Sequence, residues 1–327
     1  MFRKFENLID PFVRRKNDTP PSALWAYIST QLKPFHRWLP WMALTGFIVA
    51  VMESGLIFYS GRLIDLMNDT GAAAFWNTHK VEVTLVALFI LFLRPLLITF
   101  NHFFLEQTLA SNMQEQARWR AHRHMLGQSS NFFQNDFAGR LSNRVMQIGP
   151  AVEASVYMTF EGVWYAFTYV VGATIVLSQI DYRLGIPMSI WLVFYILYVR
   201  YIARRVASAS EKWSNARSMV NGRVVDAYAN IETVKLFAHG EREEAYALSA
   251  FKRLRLRFQR FLRLMTELSL GLNILSGLLM TGVLGPAVWL WTKGLISVGE
   301  VAAASALVES HADSISSSFQ LLFCPLP

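Results

Sequence analysis

Cysteine is almost absent. Cys324 stands alone among 327 residues, so no disulfide can form within the chain. Charge is scarce too, at 17% of residues against the roughly one quarter usual in soluble domains. Apolar residues reach 53%, and the mean hydropathy is +0.29. These values exclude a disordered chain, a collagen-like fibre and a disulfide scaffold. No G-x-x-x-x-G-K-[S/T] run occurs, so the chain holds no phosphate-cradling loop of that type. The glycines at 139, 222 and 240 are isolated. His311 has no obvious second ligand near it, and neither a metal site nor a catalytic constellation is expected. The polar N-terminus, with Pro11, Pro20, Pro21 and Pro34, has no short apolar run before a small-residue cleavage site, so no cleavable signal peptide is expected.

A net charge of +8 would suit nucleic acid, but the basic residues alternate with long apolar runs. That alternation marks a multi-pass membrane protein, and nucleic acid is set aside as a partner in favour of the bilayer. A span needs about 20 apolar residues in helical form. Leu39 to Ile64, Val83 to Leu105, Val163 to Ile180, Leu184 to Ile202 and Leu268 to Trp291 qualify. A sixth, weaker span begins near Val298. Trp38, Trp41, Trp76, Trp289 and Trp291 sit near span ends, where an aromatic belt belongs. With the N-terminus inside, only Lys80, Arg183 and Lys293 fall in outer connections, out of 31 Lys and Arg. The positive-inside rule then places both termini in the cytoplasm. A cell membrane is the expected location, the bacterial inner membrane in particular.

Proline is missing from Leu96 to Gly149 and again from Met188 to Gly285. Since proline breaks helices, its absence permits very long ones. Glycines at 127 and 139, and at 222 and 240, bound short segments at the far ends. Each inner connection therefore reads as a helical hairpin reaching about 30–40 Å below the membrane, with a short turn-bounded tip. A channel has no need of such stalks, whereas a motor docked beneath the membrane does.

The first tip reads Asn131-Phe132-Phe133-Gln134-Asn135-Asp136-Phe137-Ala138-Gly139-Arg140-Leu141-Ser142-Asn143-Arg144-Val145. The second reads Asp226-Ala227-Tyr228-Ala229-Asn230-Ile231-Glu232-Thr233-Val234-Lys235-Leu236-Phe237-Ala238-His239-Gly240-Glu241. Paired aromatics before G-x-L-x-S-R-V, and an acidic residue before I-x-x-V-K-x-F, resemble the two coupling segments of the ABC exporter membrane domain. Asn143 stands where that family usually has serine, and Asp226 takes the place of a common glutamate. The resemblance covers nearly the whole chain. It implies an all-α membrane fold of six long transmembrane helices with two long cytoplasmic helical hairpins, working as a homo- or heterodimer of such halves.

The resemblance also implies that Phe132, Phe133, Asp136, Phe137, Arg144, Asp226, Asn230, Ile231, Val234 and Lys235 dock on a nucleotide-binding ATPase domain, which would hold ATP and magnesium. Exposed aromatics favour an interface. They would equally serve to cap their own hairpin. Asp226 and Arg144 would pair with a partner's charges or with each other. Two domains are expected: a cytoplasmic segment over 1–37, then an exporter transmembrane domain over 38–327 that stops in or just after span six without its nucleotide-binding domain. The ending Cys324-Pro325-Leu326-Pro327 leaves two origins open, an ATPase on a separate chain or a longer reading frame cut short.

Charges at mid-bilayer are costly and point to function by default. Glu53 in span one and Arg94 in span two lie at similar depth. They would form an ion pair that either ties two helices together or faces a substrate cavity. Span six carries Glu300, Glu309, His311 and Asp313, with Glu309 and Asp313 on one face. It would line a polar cavity or already lie below the bilayer as solvated stalk. Glu161, with Trp164, Tyr165 and Tyr169, would share one helix face with the cavity, or simply pack.

The function expected is the membrane-spanning half of an ATP-driven exporter of an amphipathic, lipid or drug-like substrate. Two rivals remain at this level. One is a motor-less remnant or membrane interaction subunit without transport of its own. The other is an ion-coupled secondary transporter using Glu53 and Arg94.

Overall fold

The computed structural model describes residues 2–13, 19–134, 138–236 and 240–323, and the side chains among them other than those of 134, 138–140 and 311–323. Among the described residues the chain is helical throughout and has no strand. Two short helices come first, α1 (Phe2–Glu6) and α2 (Leu24–Leu32). The membrane region opens with α3 (Leu39–Leu88), which continues through a π-helical segment, Phe89–Leu93, into α4 (Arg94–His102). A second π segment, Phe103–Ala110, leads into α5 (Ser111–Leu126). After the short α6 (Ser130–Gln134) comes α7 (Ala138–Met158), then a third π segment, Thr159–Trp164, and α8 (Tyr165–Ile180). The chain is completed by α9 (Tyr182–Ala229), α10 (Ile231–Leu236), α11 (Gly240–Thr292) and α12 (Val298–Phe323).

Four helical stretches are long and apolar enough to cross a membrane: Leu39–Leu126, Leu141–Ile180, Tyr182–Ala229 and Gly240–Thr292. They contain the expected spans one to five. The first stretch doubles back at Gly71, whose φ of 67° and ψ of 158° break the helix. That backbone conformation is open to glycine and strained for residues with a Cβ. The connection between spans one and two is thus helical up to the turn, longer than the apolar run alone predicts. Partners across this hairpin step back along one arm as they advance along the other. Thr45 meets Asn101, Glu53 meets Arg94, and Arg62 meets Glu82. The sixth expected span is helical, as α12, and is not among the four stretches.

Proline shapes the second arm. Pro95 lacks an N–H, and its ring would press on the carbonyl of Leu91, four residues back. Leu91 lies in the middle of the Phe89–Leu93 π turn, where the widened backbone relieves that clash.

The described residues fall, in the main, into two compact units, 1–190 with 277–322, and 191–276. In the first, the N-terminal segment is clamped onto the helical stalk that continues from span two. Phe5 stacks on Phe103 with centroids 5.0 Å apart and meets Phe104 edge-on at 5.4 Å. Phe35, Met42, Leu109, Met113 and Ala117 form a buried core with Val152 and Val156 of α7. Both short helices end on side chains of the stalk. The Thr108 hydroxyl donates to the Phe5 carbonyl at 3.1 Å, and the Asn112 amide to that of Glu6 at 2.9 Å. The Gln116 amide donates to the Gln31 carbonyl at 2.8 Å, and Arg120 to that of Thr30 at 3.1 Å. Carbonyls that a helix C-terminus leaves without partners are thereby satisfied, and the Arg120 cation suits the negative end of α2. Replacing Gln116 by Leu is expected to destabilise the clamp by about 1–2 kcal/mol, because Gln31 is left buried without that donor. Limited trypsin digestion should then cut faster after the exposed Arg37; an unchanged rate would show that the network does not hold the segment.

The second unit is a long antiparallel pair formed by parts of α9 and α11. Trp191 Nε1 donates to the Leu275 carbonyl at 2.8 Å, and the Tyr198 hydroxyl to that of Glu267 at 2.7 Å. Farther out, Arg205 pairs with Glu267, and Trp213 packs on Phe258 and Phe261 at 4.8 and 5.2 Å. Near the tip the Arg223 guanidinium lies 3.8 Å from the Tyr246 ring centroid. With 48 and 53 residues, α9 and α11 are continuous helices. Their continuity matches the stalk expected from the proline-free run.

Candidate functional site: an intramembrane polar cluster and two hairpin tips

Arg94 grips Glu53 with both arms of its fork. Its Nε donates to Oε1 at 2.8 Å and its Nη2 to Oε2 at 3.2 Å. Such two-point pairing is the strongest geometry open to these groups. The side chains stay 21% (Glu53) and 41% (Arg94) exposed, so the pair borders open space. Tyr165 of α8 is near enough to feel both charges, and its ring stacks on that of Tyr169 at 6.2 Å. Tyr169 in turn reaches the Ser310 side chain on α12. Nearer the start of α3, Thr45 donates to Asn101 at 2.9 Å and Trp164 Nε1 to the Ala43 carbonyl at 2.8 Å. Polar groups from α3, α4, α8 and α12 are thus drawn into one region of the first unit.

At its N-terminus, α12 begins against α3. Ser297 and Glu300 form a capping box: the Glu300 carboxylate accepts from Ser297 N at 2.8 Å, and the Ser297 hydroxyl from Glu300 N at 3.0 Å. Asp65 of α3 accepts from Gly299 N at 2.8 Å and from the Ser297 hydroxyl. A carboxylate belongs at this positive helix end. Gly61 and Gly299 allow the two backbones to touch there, since a Cβ on Gly61 would lie 2.2 Å from the Gly299 carbonyl oxygen.

Each stalk ends in a short helix. In α6, Ser129 caps the turn by accepting from Phe132 N, at 3.0 Å through its carbonyl. Phe132 and Phe133 are 38% and 42% exposed, their rings edge-on at 5.6 Å. At the other tip, Asn230 bonds back to Asp226, its amide to the carboxylate at 3.2 Å, where α9 gives way to α10. Ile231, Lys235 and Leu236 are exposed on α10, and Val234 is half-buried.

The sequence model of the ABC transporter transmembrane region matches residues 41–310. The chain belongs to the ABC transporter membrane-region family. A protein of Haemophilus influenzae described as an uncharacterized ABC transporter ATP-binding protein is 31% identical over 312 residues, covering 94% of this chain and 50% of that protein. A solved bacterial Atm1-family ABC exporter with ATP bound superposes with a TM-score of 0.70 at 18% identity, over 86% of this chain and 50% of its own. That likeness shows a shared exporter-type fold. The chain spans about half the length of these relatives.

Several residues singled out in this ABC transporter membrane region lie elsewhere than the cluster. Glu161 is exposed on the Thr159–Trp164 π segment and bonds Tyr157. Burial raises the pKa of the Tyr157 hydroxyl, and the Glu161 carboxylate adds to the shift. Glu309 is exposed on α12. Asp136, Phe137 and the Asp313 side chain lie outside the described residues. Arg144 is exposed on α7 and turns toward the N-terminal segment. Among the described residues neither Arg144 nor Asp226 forms an ion pair. Sequence reasoning missed the N-terminal clamp and the Asp65 cap. The clamp did leave a trace, for Thr108, Asn112, Gln116 and Arg120 recur every fourth residue on one helix face and all are buried.

Proposed function

We propose that this ABC transporter membrane region is the bilayer-spanning half of an ATP-driven exporter, paired with a second such half. Its tips receive force from a nucleotide-binding domain outside these residues. One observation carries the reading: two continuous helices, α9 and α11, lead from apolar spans to a small helix, α10, that displays Ile231 and Leu236 to solvent. Exposed apolar side chains at the end of a rigid lever need a partner surface. ATP and magnesium would bind in that partner, whose closure draws the tips together and switches the cavity between its two openings. The substrate must then bind the two states with different affinity, or no net transport follows. Glu53, Arg94, Tyr165 and Tyr169 would border the path, and both termini would lie on the cytoplasmic side of a bacterial inner membrane. The open polar cluster among apolar spans suits an amphipathic substrate.

The test is co-reconstitution of the chain with its cognate ATPase domain in liposomes. Ile231→Asp and Phe132→Asp should each lower the ATPase activity of the assembly at least fivefold, without altering the melting temperature of the chain. Full activity in both variants would remove the tips from the mechanism.

A further inference from the structure

The N-terminal segment roofs a cavity of about 320 Å³ over the stalk helices α5 and α7. This is in the range of small-molecule sites, which begin at about 300 Å³. Lys33, Arg120, His124 and Arg144 line it, and no Asp or Glu does among the described residues. Tyr27 and Ile148 supply apolar wall. Arg120 is buried and already fixed by its bonds to Thr30 and to Gln31 Oε1, the latter at 2.7 Å, so its position is set before any ligand arrives. Lys33 and Arg144 are exposed and enter no ion pair among the described residues. Burial raises the pKa of the Tyr27 hydroxyl, with Gln31 and the Arg120 charge opposing the shift. The phenol therefore stays neutral and adds no anion to the cavity.

We infer that this cavity is a binding site for a small soluble aryl or nucleoside phosphate monoester. Convergent cations, with no carboxylate beside them among the described residues, call for a group of high negative charge. A phosphate monoester carries about −1.5 to −2 at neutral pH and offers the oxygens that guanidinium groups bind best. The Tyr27 and Ile148 walls call for a flat apolar body beside it. The bilayer is not the source. Arg120 lies about 20 Å along the helix beyond Leu105, where span two is expected to end, and the headgroup layer is only about 5–7 Å deep. The ligand would bridge Lys33 of the N-terminal segment and Arg144 of α7, fastening the segment to the stalk that carries the first tip.

Equilibrium dialysis of the detergent-purified chain with 1-naphthyl phosphate tests this. Saturable binding is expected, weakened about tenfold by Lys33→Gln and by Arg144→Gln, both at exposed positions. Tyr27→Ala should weaken 1-naphthyl phosphate but leave inorganic phosphate, the weaker ligand, unchanged. No saturable binding, equal binding of 1-naphthol, or full affinity in the Lys33→Gln/Arg144→Gln double variant would overturn the assignment. Vesicles of phosphatidic acid that compete as well as the soluble ester would also overturn it, by making the bilayer the source. The experiment reads binding alone, so its failure leaves the transport reading intact.

Discussion

Arg94→Met is expected to destabilise the purified chain by about 3 kcal/mol, the size of an unpaired charge held at the middle of a membrane helix. The loss comes from Glu53, whose carboxylate forfeits both of its bonds to the guanidinium while remaining among apolar spans. Breaking such a pair from one side is far more damaging than replacing both members. The Glu53→Gln/Arg94→Gln double variant should therefore recover most of the stability, because two amides can still bond across α3 and α4. Thermal melting in detergent measures both changes. Transport assays on the double variant then separate the two roles open to the pair. A mere helix tie predicts normal transport once stability returns, whereas a pair that faces substrate predicts stable protein with impaired transport. Equal melting of Arg94→Met and wild type would show that the pair contributes nothing.

Gly61→Val is the second large effect expected. Its new Cβ would sit 2.2 Å from the Gly299 carbonyl oxygen and 2.6 Å from the Ala303 Cβ. No rotamer relieves a clash with backbone, so α12 must move off α3. The Asp65 cap of α12 would be pulled apart with it. A loss of about 1–3 kcal/mol follows from overpacking alone, and the broken cap adds about 1 kcal/mol. Gly55→Val is the control on the same helix, since nothing lies within 4 Å of a Cβ there. Crosslinking between cysteines placed beside Gly61 on α3 and at the start of α12 should fall in the Gly61 variant and stay high in the Gly55 variant. Equal crosslinking in the two would mean that the helices do not need this contact.

Much of the architecture was legible from residue type. Apolar runs marked the membrane passes because burying apolar side chains in lipid needs no specific partner. The proline-free stretches foretold α9 and α11, because a helix continues wherever nothing interrupts its hydrogen bonds. The Glu53–Arg94 pair was legible because two lone charges at equal depth have few alternatives to each other. Other features were hidden. Gly61 and Gly299 lie far apart in sequence, and close approach of two backbones leaves no mark in hydropathy. The N-terminal segment read only as a polar cytoplasmic segment, since its partners Thr108, Asn112, Gln116 and Arg120 are themselves polar. Their fourfold spacing was the one available sign. Glu161 was read among aromatics as a residue of the cavity face, and the bond it makes to Tyr157 on the same helical run left no mark in that reading.

Composition and order of residues alone determined that this chain crosses membranes as long helices and which family it joins. These properties depend on local runs of apolarity, on backbone breakers and on short motifs, all of which act within a few turns of helix. Only the tertiary structure decided which polar groups meet. The clamp of the N-terminal segment, the basic cavity beneath it and the capping of α12 by Asp65 each join residues remote in the chain. Their energies depend on distances of a few ångströms that no linear pattern encodes.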